Sequence, residues 1–428
     1  MTPRSSRRTY DRAMNAQTTR PRPARFDTVV IGGGVVGASI AQHLSRRGVS
    51  VAVLDQASGV GGGCSYANAA IVAPHHVVPL ATPALLREAP RQMVRRPPAV
   101  RVQADPSLVP WLGALSASAS PRRSRVATER LQRLAVESTE LHRELAAQGL
   151  NPTLRKTGAV DVYLRKPRRE PSGFVPFVDL LRLEPTLATG AGGTHDGEEW
   201  TLESRSFVTA MLEDAARHGA DVRYGTTVER LLMEHGRIVG VATPSRTIRA
   251  DHVVLAAGLG AAPLAGRVGV SLPLRGGRGY VVDLAIDSGG PRLPVRIKDY
   301  RVVVTPLADR VRVAGAIEFG DESRPMDEQR AEALRRVAGS VLPALSDALV
   351  IDRWAGERPC TPDGVPVIGA SKAVENLLVA TGHGMWGMIL APVTGRLIAD
   401  AVLGMPEPAP WLAPDRFAHG MRRALATR

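Results

Sequence analysis

The patterned part of the chain begins with a β-branched apolar run, Thr28-Val29-Val30-Ile31, and changes period at once. Glycines follow, then Val36, Ile40, Ala41 and Leu44 at helical spacing. A continuous apolar run giving way to a 3.6-residue period predicts a buried parallel strand feeding a helix that ends near Gly48. A second run, Val51-Ala52-Val53-Leu54, predicts the neighbouring strand and finishes in Asp55. Residues 220–232 read as a strand and a turn, and Val253-Val254-Leu255 as a buried strand entering Ala256-Ala257-Gly258. Residues 377–380 predict a strand before an apolar helix that reaches about Leu403. Between these lie alternating segments, LRGGRGYVVDLAI and YRVVVTPLADRVRVAGAIEFG, which suit a sheet with a pocket-lining face.

The glycines at the first change of period make G-x-G-x-x-G from Gly32, Gly34 and Gly37. In a strand–turn–helix unit the first glycine makes the tight turn, the second lets backbone approach a pyrophosphate, and the third packs helix on strand. The helix start, with Val36 in its first turn, offers free N–H groups and partial positive charge to phosphates. Asp55, followed by Gln56, is spaced to bind ribose hydroxyls, which favours FAD or NAD over NADP. The segment GGGCSYANAAIVAP, 61–74, is too rich in glycine and small residues for a helix. It predicts a loop whose Ser65 and Asn68 approach the cofactor, with Val228 a candidate neighbour of the adenine. A different irregularity stands at GHGMWGMILAP, 382–392: three glycines and a histidine precede a helix, and no Ser, Thr, Asp or Asn is placed to cap it.

Composition adds mostly exclusions. The net charge of +14 suggests nucleic acid, yet only four of the 55 basic residues are lysines and the arginines are scattered. No nucleic-acid module accompanies them, so no nucleic-acid partner is expected. Two cysteines, Cys64 and Cys360, support neither a disulfide framework nor a metal-type spacing, and fit a reducing cytoplasm. Residues 1–26 hold seven arginines against one acid and read as a disordered basic tail. The Arg7-Arg8 pair lacks the apolar segment of an export signal. The near-apolar run 253–266 is too short for a membrane span. Leu85, Leu86, Ala89, Met93 and Val94 follow helical spacing with arginines between them. That pattern suits peripheral contact with an anionic membrane, or equally a helix packed on its own domain.

In their order along the chain, SYANAAIVAP, RGYVVDL, TPDGVPVIG and TGHG resemble motifs of the DAO family of FAD-dependent oxidoreductases, and most nearly of its bacterial D-amino-acid dehydrogenases. The resemblance spans roughly residues 27–404. It implies an α/β protein: a discontinuous Rossmann-type FAD-binding domain (27–78, 204–270 and 350–405) with an inserted α+β substrate or cap domain (79–203 and 271–349), and a tail at 406–428. It further implies oxidation of a C–N bond by hydride transfer to flavin N5, the imine then hydrolysing to a 2-oxo acid and ammonia. Ala257 and Gly258 end the strand that returns to the FAD domain. Gly382, Gly384 and Gly387 let backbone pass close to the isoalloxazine, with N–H groups from Met385 to Met388 facing flavin N1 and O2. His383 is the ionisable group expected beside the flavin.

For a substrate carboxylate the candidate cations are Arg301, beside Tyr300, and Arg278, beside Tyr280. Leu307 stands where glycine-oxidase-like relatives carry an arginine, which argues against a glycine-oxidase pocket. Gly356 stands near the position of a flavin-tethering cysteine, so noncovalent FAD is expected. Secondary-amine and 2-hydroxy-acid oxidation stay open, as do oxygen and a quinone as acceptor. So does a basic binding protein that keeps FAD for structure.

Overall fold

The computed structural model of the protein describes residues 25–60, 63–95, 97–286 and 288–418. Most of the basic tail, Gly61 and Gly62 of the glycine loop, and residues 419–428 lie outside them.

The first predicted unit forms as its period requires. Arg25–Ile31 and Val51–Leu54 pair in parallel, with the helix Val35–Ser45 crossing between them. They belong to an eight-stranded sheet ordered Asp221–Arg223, Val51–Leu54, Arg25–Ile31, Thr247–Leu255, Arg237–Ala242 and Arg230–Glu234. The far half of Thr247–Leu255 also pairs in parallel with Leu377–Thr381. Four helices cover one face: Val35–Ser45, Pro121–Ala147, Ser204–Arg217 and Gly387–Val402. Val30, Ile40, Leu44, Val53, Phe207 and Leu390 are fully buried between sheet and helices.

Nine further strands build the second sheet, ordered Val350–Cys360, Arg275–Leu284, Val311–Phe319, Val302–Pro306, Val295–Ile297, Ala159–Tyr163, Gly192–Asp196 and Val175–Pro176. Val100–Val102 joins it beside Val311–Phe319. The helix Glu328–Val341 closes its core through Leu334, Val337 and Val341.

Three boundaries differ from the sequence reading. Pro121–Ala147 falls within the expected cap but buries Leu131, Ala135 and Leu145 in the first core. Those positions make one apolar stripe, and the partner that needs it is the Gly387–Val402 helix. Val350–Cys360 falls within the expected FAD domain but completes the second sheet, paired antiparallel with Arg275–Leu284 along its length. The chain re-enters the first sheet only at Val367–Ala370. Residues after 405 are not all tail: Leu412 is buried, its carbonyl accepts from Ile368 N–H, and Arg416 pairs with Asp363.

The run 253–266 splits into a strand end and short helices, and a longer apolar stretch lies at Gly384–Val402. Its 19 residues reach a mean hydropathy of 1.2, enough in length and composition for a membrane span. Here that apolarity is used inside the protein, against Val35–Ser45 and Pro121–Ala147.

Candidate active site

The glycine turn has the geometry its spacing predicts. Gly32 lies at φ +106°, and a Cβ there would stand 2.6 Å from the Ala256 carbonyl oxygen. A Cβ on Gly37 would fall 1.9 Å from the Gly32 carbonyl, so helix and strand touch backbone to backbone. Gly34 is different: it is extended (φ −69°, ψ −178°), and its nearest obstacle would be Ser65 Oγ at 3.2 Å. Its conformation does not need glycine, and the lack of a side chain leaves that backbone open to close approach. Val35 N–H donates to Ser65 Oγ at 2.9 Å, and Gly33 N–H to Asp55 Oδ2 at 2.6 Å. Asp55 Oδ1 accepts from Ala57 N–H at 2.7 Å. Val36 is half-buried and Gln56 exposed.

The segment 225–228 is knitted to the same turn. Thr226 N–H donates to the Asp55 carbonyl and Gly225 N–H to that of Ala57, which brings half-buried Val228 near Asp55. Ala257 packs over Gly32, and the Gly258 carbonyl accepts from Thr381 Oγ1 at 2.8 Å. Asn68 closes its own loop, Oδ1 accepting from Ala70 N–H at 2.8 Å. That loop leans on the cap through Thr305 Oγ1, which donates to the Ala69 carbonyl.

The 382–388 turn lies one step further. Gly382 (φ +74°) and Gly384 (φ +55°) occupy the left-handed region that glycine alone enters readily. Gly387 has ordinary helical angles (φ −54°, ψ −42°), and a Cβ there would meet only His383 Cβ, at 3.6 Å. No side chain caps the helix that begins at Gly387, although its first residues, from Met388 on, are buried. An uncapped buried helix start together with a glycine the fold does not demand leaves space and donors for a ligand. Met385 is exposed, and Trp386 N–H is already bonded to the His383 carbonyl. His383 is buried, its ring bonded through Nε2 to Thr394 Oγ1 at 3.0 Å. Burial pushes its pKa down to about 4, so the ring is neutral and held by the helix.

An isolated bridge pairs His383 with Cys360, the last residue of Val350–Cys360. Two residues back on the same face of that strand is Arg358. Its guanidinium lies over Gly277 and Gly279, where a Cβ on Gly279 would come within 2.0 Å of Nη2. Nη1 donates to the carbonyls of Ala316 (3.1 Å) and Gly277 (3.4 Å). Among the described residues no carboxylate is within ion-pair distance of it. Burial accordingly lowers its pKa from the usual arginine value. Cys64 and Cys360 flank it, both thiols pushed up to about 12 by burial. Among the described residues nothing accepts from Nε or Nη2, and that edge forms a fork matching one carboxylate.

The cap residues singled out in the sequence are committed elsewhere. Tyr280 is 1% exposed, and its hydroxyl donates to Glu318 Oε2 at 3.0 Å; burial raises its pKa to about 12. Tyr300 carries Arg95 over its ring, 5.4 Å from the centroid. Arg301 is exposed and paired with Glu88 at 2.7 Å, on the outer side of the cap. Arg278 is ion-paired with Glu357 and donates to the Glu322 carbonyl. Sequence reasoning missed Arg358 because nothing local separates it from the other arginines. The usable signal was its place two residues before Cys360, facing the glycines of RGGRG.

One group among the described residues has metal-ligand composition: His76, Asp196 and Glu199. Arg296 Nη1 already holds both Glu199 oxygens, at 2.6 and 2.5 Å, and Nη2 is 3.5 Å from His76 Nε2. A guanidinium thus stands where a metal ion would be.

Residues 27–401 match the family model described as DAO, FAD dependent oxidoreductase. The chain is 33% identical over 400 residues to a D-amino acid dehydrogenase of Methylobacterium nodulans, covering 88% of this chain and 95% of that one. It is 31% identical to one of Paramagnetospirillum magneticum, covering 91% and 98%. Among solved structures it is similar to glycine oxidase from Geobacillus kaustophilus (TM-score 0.71, 23% identity, 92% of this chain and 99% of that one). It is likewise similar to L-proline dehydrogenase from P. horikoshii (TM-score 0.71, 20% identity, 93% and 99%). By that match and those relatives, this chain belongs to the DAO family of FAD-dependent oxidoreductases.

Proposed function

We propose that this protein oxidises the C–N bond of an amino acid, as its relatives' name, D-amino acid dehydrogenase, suggests. The observation that carries this reading is Arg358, a half-buried cation with no carboxylate partner among the described residues, whose fork is free beside the 382–388 turn. A site for neutral amines has no use for such a group; an amino acid supplies its missing carboxylate.

The residues that would hold FAD are Gly32, Gly34, Val36 and Gly37 at the pyrophosphate, and Asp55, Gln56 and Val228 at the adenosine. Ser65, Asn68, Ala257 and Gly258 line the approach, and Gly382, Gly384, Met385, Gly387 and Met388 stand at the ring. FAD bound there is the acceptor of the hydride leaving the substrate's α-carbon. The chain positions the reactants: Arg358 fixes the carboxylate, which orients the α-carbon and its hydrogen. The uncapped helix start places partial positive charge where reduction builds negative charge. No protein base is required if the amine enters neutral, its lone pair forming the C=N bond as the hydride departs. Water then adds to the imine and ammonia leaves, giving the 2-oxo acid. His383 serves the shape of the turn, its ring committed to Thr394. The Trp354 ring covers Gly356, and no cysteine replaces it, which supports noncovalent FAD.

The electron acceptor is a quinone or oxygen. A cytoplasmic enzyme touching the membrane's inner face suits the helix Pro83–Val94, where only Gln92 is buried and Leu86, Met93 and Val94 are exposed among arginines. The deciding experiment is anaerobic bleaching of the bound flavin by a panel of D-amino acids, imino acids and 2-hydroxy acids. Bleaching by D-amino acids is expected. Bleaching by hydroxy acids alone would overturn the amine reading.

A further inference from the structure

The helix that begins at Gly387 contains Pro392. Proline has no N–H, so the carbonyl four residues earlier, Met388 O, loses its intrahelical donor in the first turn. Its replacement comes from another helix, 246 residues away in the chain. His142 on Pro121–Ala147 places Nε2 3.1 Å from Met388 O. Its other nitrogen, Nδ1, stands 3.1 Å from Asn151 Nδ2. An amide N–H donates, so Nδ1 accepts and the proton resides on Nε2, where Met388 O requires it. The ring also lies beside the Ile389 carbonyl and, fully buried, has its pKa lowered to about 4, so it is neutral. One turn earlier on the same helix, Ser138 Oγ accepts from Val393 N–H at 3.2 Å. Two side chains of Pro121–Ala147 thus serve backbone groups on either side of the proline.

We infer that His142, held in its Nε2–H form by Asn151, is a positioning residue for the cofactor: it supplies the hydrogen bond that Pro392 removes and so directs the helix start at Gly387 and Met388. This rests on the reading that the 382–388 turn faces the flavin. A proline at the sixth residue loosens the turn before it, and the histidine restores that turn's aim without restoring a regular helix. His142 touches neither substrate nor flavin in this account. Its effect is on how well the helix start stabilises the reduced cofactor.

The test uses the full-length flavoprotein and measures FAD midpoint potential and FAD dissociation constant. Gln places its amide N–H about where Nε2–H stands, and Asn places it about where Nδ1 stands. His142→Gln is expected to keep the wild-type potential. His142→Asn is expected to weaken the grip on reduced relative to oxidised FAD about tenfold, a fall of about 30 mV for a two-electron couple. Pro392→Ala returns an N–H to Met388 O, so adding it to His142→Asn should restore the potential. An unchanged potential in His142→Asn overturns the inference. So does a fall that Pro392→Ala fails to reverse, since His142 would then be filling volume. Should His142→Asn not fold, a shifted potential in His142→Gln overturns it alone. Gly387→Ala tests the underlying reading separately: if that variant binds FAD normally, the turn does not face the flavin.

Discussion

Replacing Arg358 with methionine is expected to raise or preserve stability while abolishing efficient turnover, a pairing of opposite signs. Two of the five guanidinium donors, both on Nη1, are used by the carbonyls of Gly277 and Ala316. The remaining edge has no acceptor among the described residues and, on the proposed reading, takes the substrate carboxylate. Leaving one member of a buried ion pair unpartnered costs about 3–5 kcal/mol, a factor of roughly 150 to 5,000. The reductive half-reaction with an amino acid should therefore slow roughly 150- to 5,000-fold in kcat/KM. Without substrate the half-buried cation has no carboxylate partner among the described residues, so methionine removes an unpaired, partly desolvated charge and the apparent Tm should not fall. The assay is anaerobic stopped-flow bleaching of the flavin by an amino acid and by its amide, which has no carboxylate. Wild type should prefer the acid strongly, and Arg358→Met should lose that preference by slowing the acid alone. Arg301→Ala is the control: Arg301 is exposed and paired with Glu88, an interaction worth about 0–1 kcal/mol, and rates should stay as wild type. Equal loss for acid and amide in Arg358→Met, or loss in Arg301→Ala alone, refutes the assignment.

Two other outcomes follow from the packing. Gly387→Ala meets no obstacle nearer than 3.6 Å within the protein, so the apoprotein should melt at or slightly above the wild-type temperature while FAD affinity falls at least tenfold, read by fluorescence titration. Burial holds His43, His142 and His383 at pKa values of about 4 against an ordinary 6.5. The unfolded chain therefore takes up three protons, as pH falls below 6.5, that the folded chain declines. Stability should be level above that pH and drop below it, with a slope reaching about 4 kcal/mol per pH unit. Denaturant midpoints from pH 7 to pH 4.5 measure this, and His142→Gln should cut the slope by about a third.

What could be read from the sequence was what depends on neighbours in the chain. The strand–glycine–helix–strand unit is contiguous, and its period, turn residues and acid lie within 30 residues. Residues 25–55 accordingly fold as the spacing requires. The oddity of 382–392 was visible too, because a missing cap and surplus glycines are local facts. The tertiary structure decided which charges are satisfied. Arg278 finds its carboxylate 79 residues away and Arg301 finds one 213 residues away, while Arg358 finds none among the described residues. An ion pair is made by approach in space, and one arginine reads like another until the strands are laid side by side. The same reason hid His142: a proline's lost hydrogen bond can be located in a sequence, but the donor that replaces it comes from a helix brought there only by packing. Strand Val350–Cys360 was misplaced for the kindred reason that an amphipathic strand does not name its sheet; Arg275–Leu284, some 75 residues earlier, does.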